Sequence, residues 1–198
     1  TFLSCIRYRE LRMSNGPRTI VGLIGFAHTG KSEVASVLMH EYGFTRVKFA
    51  DGLKNMLRAI GLTEEEIEGA LKEQPCEKLG GQTPRHAMMT LGTEWGRKLI
   101  HEDIWVLAWR KYVLDSSADR IVVDDCRFLN EAGMIRKIGG NIWHIVRPGY
   151  GPLKDHPSEL EHLEIRSDAY LKNDETVEDL RYLVRRHAFK LLDAGEHL

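Results

Sequence analysis

Several absences narrow the reading before any motif is considered. Charge bias is missing: across 198 residues, 28 Lys and Arg stand against 29 Asp and Glu, a formal net charge of −1. A general nucleic-acid or membrane-surface binder carries a clustered basic excess, so neither partner is expected. No apolar run approaches the roughly 18 residues of a spanning helix. The three cysteines, Cys5, Cys76 and Cys126, are far apart and form no C-x-x-C. That excludes a disulfide scaffold and a cysteine-based zinc module, and suits a reducing cytoplasm. Internal repeats, low-complexity segments and obvious linkers are absent too. What is present is ordinary for a globular chain: 42% apolar residues and 18 glycines. The length corresponds to a single domain, with room for small inserted lobes.

The stretch before Met13 has no signal-peptide core and no A-x-A cleavage site. Residues 1–18 read as an extension. Met13 is the expected native start, and residues 1–12 are expected to be dispensable for folding and activity.

Strand-like and helix-like stretches then alternate. Thr19–Gly25 is a continuous, partly β-branched apolar run, the mark of a buried parallel strand. Lys31–Tyr42 is helical and ends at Gly43. Thr45–Phe49 reads as a second strand. From Gly52 to Ser117 the pattern is mostly helical, too long for a simple crossover, and reads as a lobe beside the sheet. Within it Thr63 opens a capping box, Thr83-Pro84 gives an N-cap with proline at N1, and Asp103 is the expected cap of a helix from Ile104 to Leu114. Ile121–Asp125 is a third strand, Leu129–Ile138 a helix and Asn141–Val146 a fourth strand. Residues 157–166 read as helical and Asp168–Leu171 as a last strand, with Thr176 capping a C-terminal helix. The fold class is therefore α/β with a parallel sheet.

The strongest chemical signal is Gly25-Phe26-Ala27-His28-Thr29-Gly30-Lys31-Ser32, a full G-x-x-x-x-G-K-[ST] between a strand and a helix. Its glycines let successive N–H groups turn toward phosphate oxygens, and the helix N-terminus adds partial positive charge. Lys31 supplies a cation near the β- and γ-phosphates, and the Ser32 hydroxyl can coordinate Mg²⁺. Asp124-Asp125-Cys126-Arg127 ends the third strand, where ligands of open α/β sheets bind. A carboxylate there can hold Mg²⁺ or its waters; Asp125 is preferred and Asp124 left open. Arg127 can reach a phosphate with a bidentate fork. Arg85 and Arg97 could clamp a second phosphate, with Trp95 stacking on a base. Asp51, after the second strand, either caps the next helix or faces the acceptor. Arg147-Pro148-Gly149, Lys154 and His156 form a basic loop able to close over phosphates. His156-Pro157-Ser158-Glu159 has neither a nucleophile elbow nor H-E-x-x-H spacing, and a catalytic dyad or metal pair is rejected there.

The ordered set F-A-D-G-L-K, T-P-R, L-G-T-E-W-G-R, D-I-W-V, D-D-C-R-F-L-N-E-A, R-P-G, H-P-S-E and N-D-E-T-V-E-D-L resembles deoxynucleoside monophosphate kinases of tailed bacteriophages. The resemblance runs from about Thr19 to Leu183. It implies a P-loop fold with a five-stranded parallel sheet in order 2-3-1-4-5, a helical monophosphate-binding lobe over about 52–117 and a lid over about 147–165. The implied reaction is ATP + dNMP → ADP + dNDP with Mg²⁺, in the host cytoplasm if the chain is phage-encoded. The nucleotide would be held by Gly25, Ala27, His28, Thr29, Gly30, Lys31, Ser32 and Glu33. Asp51, Lys54, Arg85, Trp95, Arg97, Arg127 and Glu131 would meet the acceptor. Lys31, Asp125, Arg127 and Arg147 would act in catalysis, with Ser32 and Asp125 toward the metal. The doubled aspartate and the arginine-poor lid depart from the pattern. Two competing readings are a P-loop kinase for another small acceptor and a nucleotide-binding switch; no N-K-x-D guanine motif supports the latter. The sequence leaves the oligomeric state open, with a homodimer as one candidate assembly.

Overall fold

The computed structural model describes residues 18–151 and 161–195. The expectations placed on residues 1–17 and 152–160, including Lys154, His156 and much of the expected lid, lie outside these residues.

Strand β1 (Thr19–Ile24) lies at the centre of a five-stranded sheet. It pairs in parallel with β3 (Arg120–Val123) on one side and β4 (Asn141–Val146) on the other, with Val21 opposite Val122 and Leu23 opposite Trp143. Strand β2 (Thr45–Arg46) and strand β5 (Ala169–Lys172) complete the parallel order β2-β3-β1-β4-β5. This is the order the family resemblance implied.

The period of two in β1 divides the core. Val21 and Leu23 face a cluster with Val34 and Leu38 of helix α1 (Lys31–Tyr42) and Leu180 and Val184 of the C-terminal helix. Ile20 and Ile24 face the opposite cluster, with Trp109, Ile121, Ile135 and Ile142. A sheet buried on both faces needs continuous apolar strands, which is why this run lacks hydrophilic alternation.

Helices α2 (Asp51–Ala59), α3 (Glu64–Ile67), α4 (Pro84–Met89) and α5 (Ile104–Asp115) fill the stretch between β2 and β3. They carry a third apolar cluster of Leu53, Leu57, Leu62, Ile67, Met88 and Trp105. The caps fall where the sequence puts them: Thr63 forms a complete capping box, and Thr83 accepts from the His86 N–H with Pro84 at N1. Helix α6 (Leu129–Lys137) follows β3, and α7 (Val177–Gly195) follows β5.

Several local expectations change. Strand β3 runs Arg120–Val123, so Asp124 and Asp125 lie just beyond it rather than ending it. Strand β1 stops at Ile24 because Gly25 turns to φ +141°. Strand β2 is two residues long: Val47 still donates to Val122, but the next free N–H groups, Phe49 and Ala50, turn to the Asp125 carboxylate. Asp103 makes no side-chain cap to α5; its carboxylate accepts from Asn130 Nδ2 at 2.7 Å. Residues 90–100 run on from α4 as a π-helix, Thr90–Ile100. The wide turn brings its backbone against Trp105, whose Nε1 donates to the Gly92 carbonyl at 2.8 Å. A Cβ on Gly96 would lie 2.7 Å from Trp105 Cζ2.

Candidate active site

The loop between β1 and α1 is shaped by its own side chains. Gly25 and Gly30 take φ of +141° and +109°, and His28 sits at +61°. Thr29 is buried, and its hydroxyl donates to the Phe26 carbonyl at 2.9 Å. The Lys31 ammonium donates to the Gly25 and Phe26 carbonyls, each at 2.6 Å. A cation is thus held inside the loop at the N-terminus of α1, where free N–H groups and the helix dipole favour an anion. Glu33 faces elsewhere and pairs with Arg181 of α7 at 2.6 Å.

The segment after β3 and the first turn of α6 supply three carboxylates in different settings. Asp124 is buried and takes both of its bonds from the Arg46 guanidinium, one of them 2.9 Å long. Asp125 accepts the Phe49 and Ala50 N–H groups at 3.0 Å each. Burial raises the Asp125 carboxyl; those two N–H groups oppose the rise and the Asp124 charge adds to it. Glu131, at the third position of α6, turns back to accept the Arg127 and Phe128 N–H groups at 2.8 and 3.2 Å. Burial, then the Asp125 charge, pushes Glu131 up to about 7. Its other oxygen takes Arg97 Nη2 at 2.7 Å, and the Arg97 guanidinium lies 4.0 Å over the Phe128 ring. Glu131 therefore ties an arginine of the π-helix to the turn that presents Arg127.

The lobe contributes further cations. Lys54 is buried and donates to Glu68, which also pairs with Lys48 at 3.6 Å. Lys72 stands near, its ammonium lowered by burial and then by the Arg85 and Lys54 charges. Arg85 pairs with Glu73 at 2.6 Å.

One cavity of about 750 Å³ joins these groups. Its walls include Ala27, His28, Lys31 and Ser32 from the loop, Asp124, Asp125, Arg127 and Glu131 from the β3 end, and Lys54, Arg85 and Arg97 from the lobe. Its size falls in the range of small-molecule sites. Gly25, Thr29, Gly30 and Glu33 build the loop or its supports without lining the cavity. Asp51 and Trp95 do not line it either: Asp51 accepts the Lys48 N–H at 2.7 Å and faces a separate depression with Asn55, Arg58 and Tyr112. Trp95 is 36% exposed, and the indole lining the cavity belongs to Trp105. Arg147 lies at the loop's outer side, its guanidinium 4.6 Å over the Tyr150 ring and Nη1 3.5 Å from the His28 carbonyl.

Sequence reading passed over Lys48, Glu68, Lys72, Thr93, Trp105 and Phe128, all on the cavity wall. Lys48 carried a usable signal, since it follows β2 at the carboxyl edge of the sheet. Glu68, Lys72, Thr93 and Trp105 come together only through the packing of the lobe, and Phe128 joins them from the turn before α6.

Comparison with known proteins decides the family. Residues 81–184 match the family model described as Deoxynucleotide monophosphate kinase. A protein of Acanthamoeba polyphaga mimivirus bearing that family name is 34% identical over 175 residues, 81% of this chain and 91% of that protein. The chain belongs to the deoxynucleotide monophosphate kinase family. The deoxynucleoside-5′-monophosphate kinase of Escherichia phage T5 is 36% identical over a shorter stretch of 55 residues, 28% of this chain and 22% of that protein. Among solved structures, one from Thermus thermophilus has a TM-score of 0.49 at 17% identity, covering 88% of this chain and 98% of that one. Among the described residues of this family member, no helix is long and apolar enough to cross a membrane.

Proposed function

We propose that the chain transfers the γ-phosphoryl group of ATP to a deoxynucleoside monophosphate in the cavity between the phosphate loop and the helical lobe. Family membership supplies the reaction class, phosphoryl transfer with a deoxynucleotide monophosphate as acceptor. The observation that carries the residue assignment is the make-up of one cavity wall: Lys31 and Ser32 from the phosphate loop, Lys54, Arg85 and Arg97 from the lobe, and Arg127 from the turn after β3. Two anionic substrates have to be brought nose to nose against their own repulsion, and cations on both sides and at the junction do this.

An acceptor phosphate is already ionised near pH 7, so transfer needs no strong base; it needs alignment and positive charge around the moving phosphoryl group. Lys31 holds the donor phosphates and Arg127 neutralises charge at the junction. Arg97, braced by Glu131, grips the acceptor with Arg85 and Lys54. Arg147, in this reading, closes with its loop and excludes water. Residues 52–117 serve as the monophosphate lobe and 147–165 as the lid of a single domain spanning 19–198. Asp51 and Trp95 act, if at all, from outside the cavity wall, and Trp105 is the better candidate for base contact. A cytoplasmic location is part of this reading, since ATP and dNMPs are present there.

The residues fit Mg²⁺. Ser32 offers a hydroxyl and Asp124 and Asp125 offer carboxylates to one cavity, all hard oxygen donors. No group of three or more His, Cys, Asp or Glu that could hold a metal occurs among the described residues. Ser32 and Asp125 would hold Mg²⁺, and when bound it neutralises charge on the donor phosphates.

A pair of variants tests this arrangement. Lys31→Ala is expected to lower kcat by orders of magnitude with folding intact. Arg97→Ala is expected to raise the KM for dNMP by roughly tenfold or more while leaving the KM for ATP within about twofold. Near-normal turnover in the first, or equal KM changes for both substrates in the second, contradicts the assignment.

A further inference from the structure

We infer that Asn173 is a positioning residue for the phosphate loop, setting the orientation of the peptide that enters α1. Asn173 follows β5 and makes two bonds in different directions. Its backbone N–H donates to the Val146 carbonyl at 2.7 Å, fixing it to the end of β4. Its side-chain Nδ2 donates to the Thr29 carbonyl at 2.9 Å. Thr29 has no other freedom: it is 1% exposed and its hydroxyl is spent on Phe26.

A trans peptide is planar, with its C=O and N–H on opposite sides, and no cis peptide occurs among the described residues. Drawing the Thr29 carbonyl toward Asn173 therefore turns the Gly30 N–H to the opposite side, so this one bond sets which way the loop's last peptide before α1 faces. The contact is tight. A Cβ on Gly30 would lie 2.8 Å from Asn173 Nδ2 and 3.0 Å from Leu180 Cδ2. At φ +109° Gly30 has the conformational freedom to flip this peptide in either direction. The loop sequence alone thus leaves the orientation open, and a donor from the far end of the chain closes it. The Arg181–Glu33 pair holds α7 to α1 at 2.6 Å, so the same support is fastened at a second point.

The inference rests on the phosphate loop being the ATP site, and needs nothing from the choice of acceptor. Asn173→Asp carries the test: it keeps the shape and replaces the donor with a charged acceptor facing a carbonyl. Asn173→Ala gives the same contrast by deletion. ATP affinity is measured by titration without any monophosphate, and dNMP affinity without ATP. Both variants are expected to weaken ATP binding roughly tenfold, the worth of one well-placed hydrogen bond, and to leave dNMP affinity within about twofold. ATP affinity in Asn173→Asp equal to wild type overturns the inference alone, as does a parallel loss for both ligands. A wild-type chain that binds no ATP overturns the reading of the loop and the inference with it.

Discussion

Glu131 is a buried carboxylate whose hydrogen-bond partners do not offset the cost of its burial. It is 2% exposed, accepts two backbone N–H groups and one arginine, and still sits near 7 because burial and the Asp125 charge outweigh those partners. From its ordinary value of 4.5 up to about 7, the folded chain holds a proton that the unfolded chain has released. The unfolding free energy contributed by this group therefore falls as pH rises through that window and levels off above it. Glu131→Gln removes the titration and keeps an oxygen for the Arg127 and Phe128 N–H groups. Its thermal midpoint, relative to wild type, is expected to climb between about pH 5 and about pH 8. A difference that stays constant across the range contradicts the account. Cys126, 2% exposed beside the same carboxylates, has its thiol raised well above the usual range, by burial first and then by Glu131 and Asp125. It is a packing residue rather than a nucleophile.

At the scale of elements, the π-helix from Thr90 to Ile100 is the departure that matters most. Its bonds run i to i+5 instead of i to i+4, so positions spaced for one face of an α-helix drift off it. Within the π-helix Trp95 is 36% exposed, while Trp105 of α5 lines the cavity. Gly96 is the residue that permits the approach. In an ordinary helix, glycine to alanine gains up to about 1 kcal/mol from propensity. Here a Cβ would meet Trp105 Cζ2 at 2.7 Å and the Leu91 carbonyl at 2.9 Å, and the backbone oxygen cannot swing away. The clash outweighs the propensity, and Gly96→Ala is expected to destabilise by about 1–3 kcal/mol in urea unfolding. A stabilised variant would show that the helix relaxes to α geometry at little cost. At α7 the opposite case holds. Thr176 accepts the Asp179 N–H at 3.2 Å in an ordinary N-cap, and Thr176→Ala is expected to cost about 1 kcal/mol by the same measurement.

These elements also show what the sequence can express. The phosphate loop and the caps at Thr63, Thr83 and Thr176 were legible because each is made by residues within a few positions of one another. The apolar strands were legible because burial on both faces leaves a continuous run. The strand ends were misjudged where a distant group competes for the backbone, as Asp125 does for the Phe49 and Ala50 N–H groups. The Arg46–Asp124 pair, the Lys48–Glu68–Lys54 group and the Asn173–Thr29 bond join residues from different elements. Local patterns carry no trace of such pairings; only the folded lobe and sheet bring them together.

For the whole molecule, the parallel sheet turns five strand ends to one edge, and the segments that follow β1, β2 and β3 line the cavity there. The loop after β1 brings Lys31, the turn after β2 brings Lys48, and the end of β3 brings Asp125 and Arg127. Arg147 follows β4 beside the loop, and Asn173 follows β5 behind it. The order β2-β3-β1-β4-β5 places β1 between its two neighbours, so the phosphate loop lies at the centre of that edge. The lobe between β2 and β3 then faces it with a second set of cations. The central claim is that the cavity holds two anionic substrates for direct transfer. The most direct test is ADP formation from ATP and Mg²⁺ in a coupled assay, with each of the four dNMPs, each NMP and no acceptor. The account predicts fast ADP release that depends on a dNMP and is close to zero without one. Slow release, indifferent to every monophosphate while ATP still binds, would contradict it.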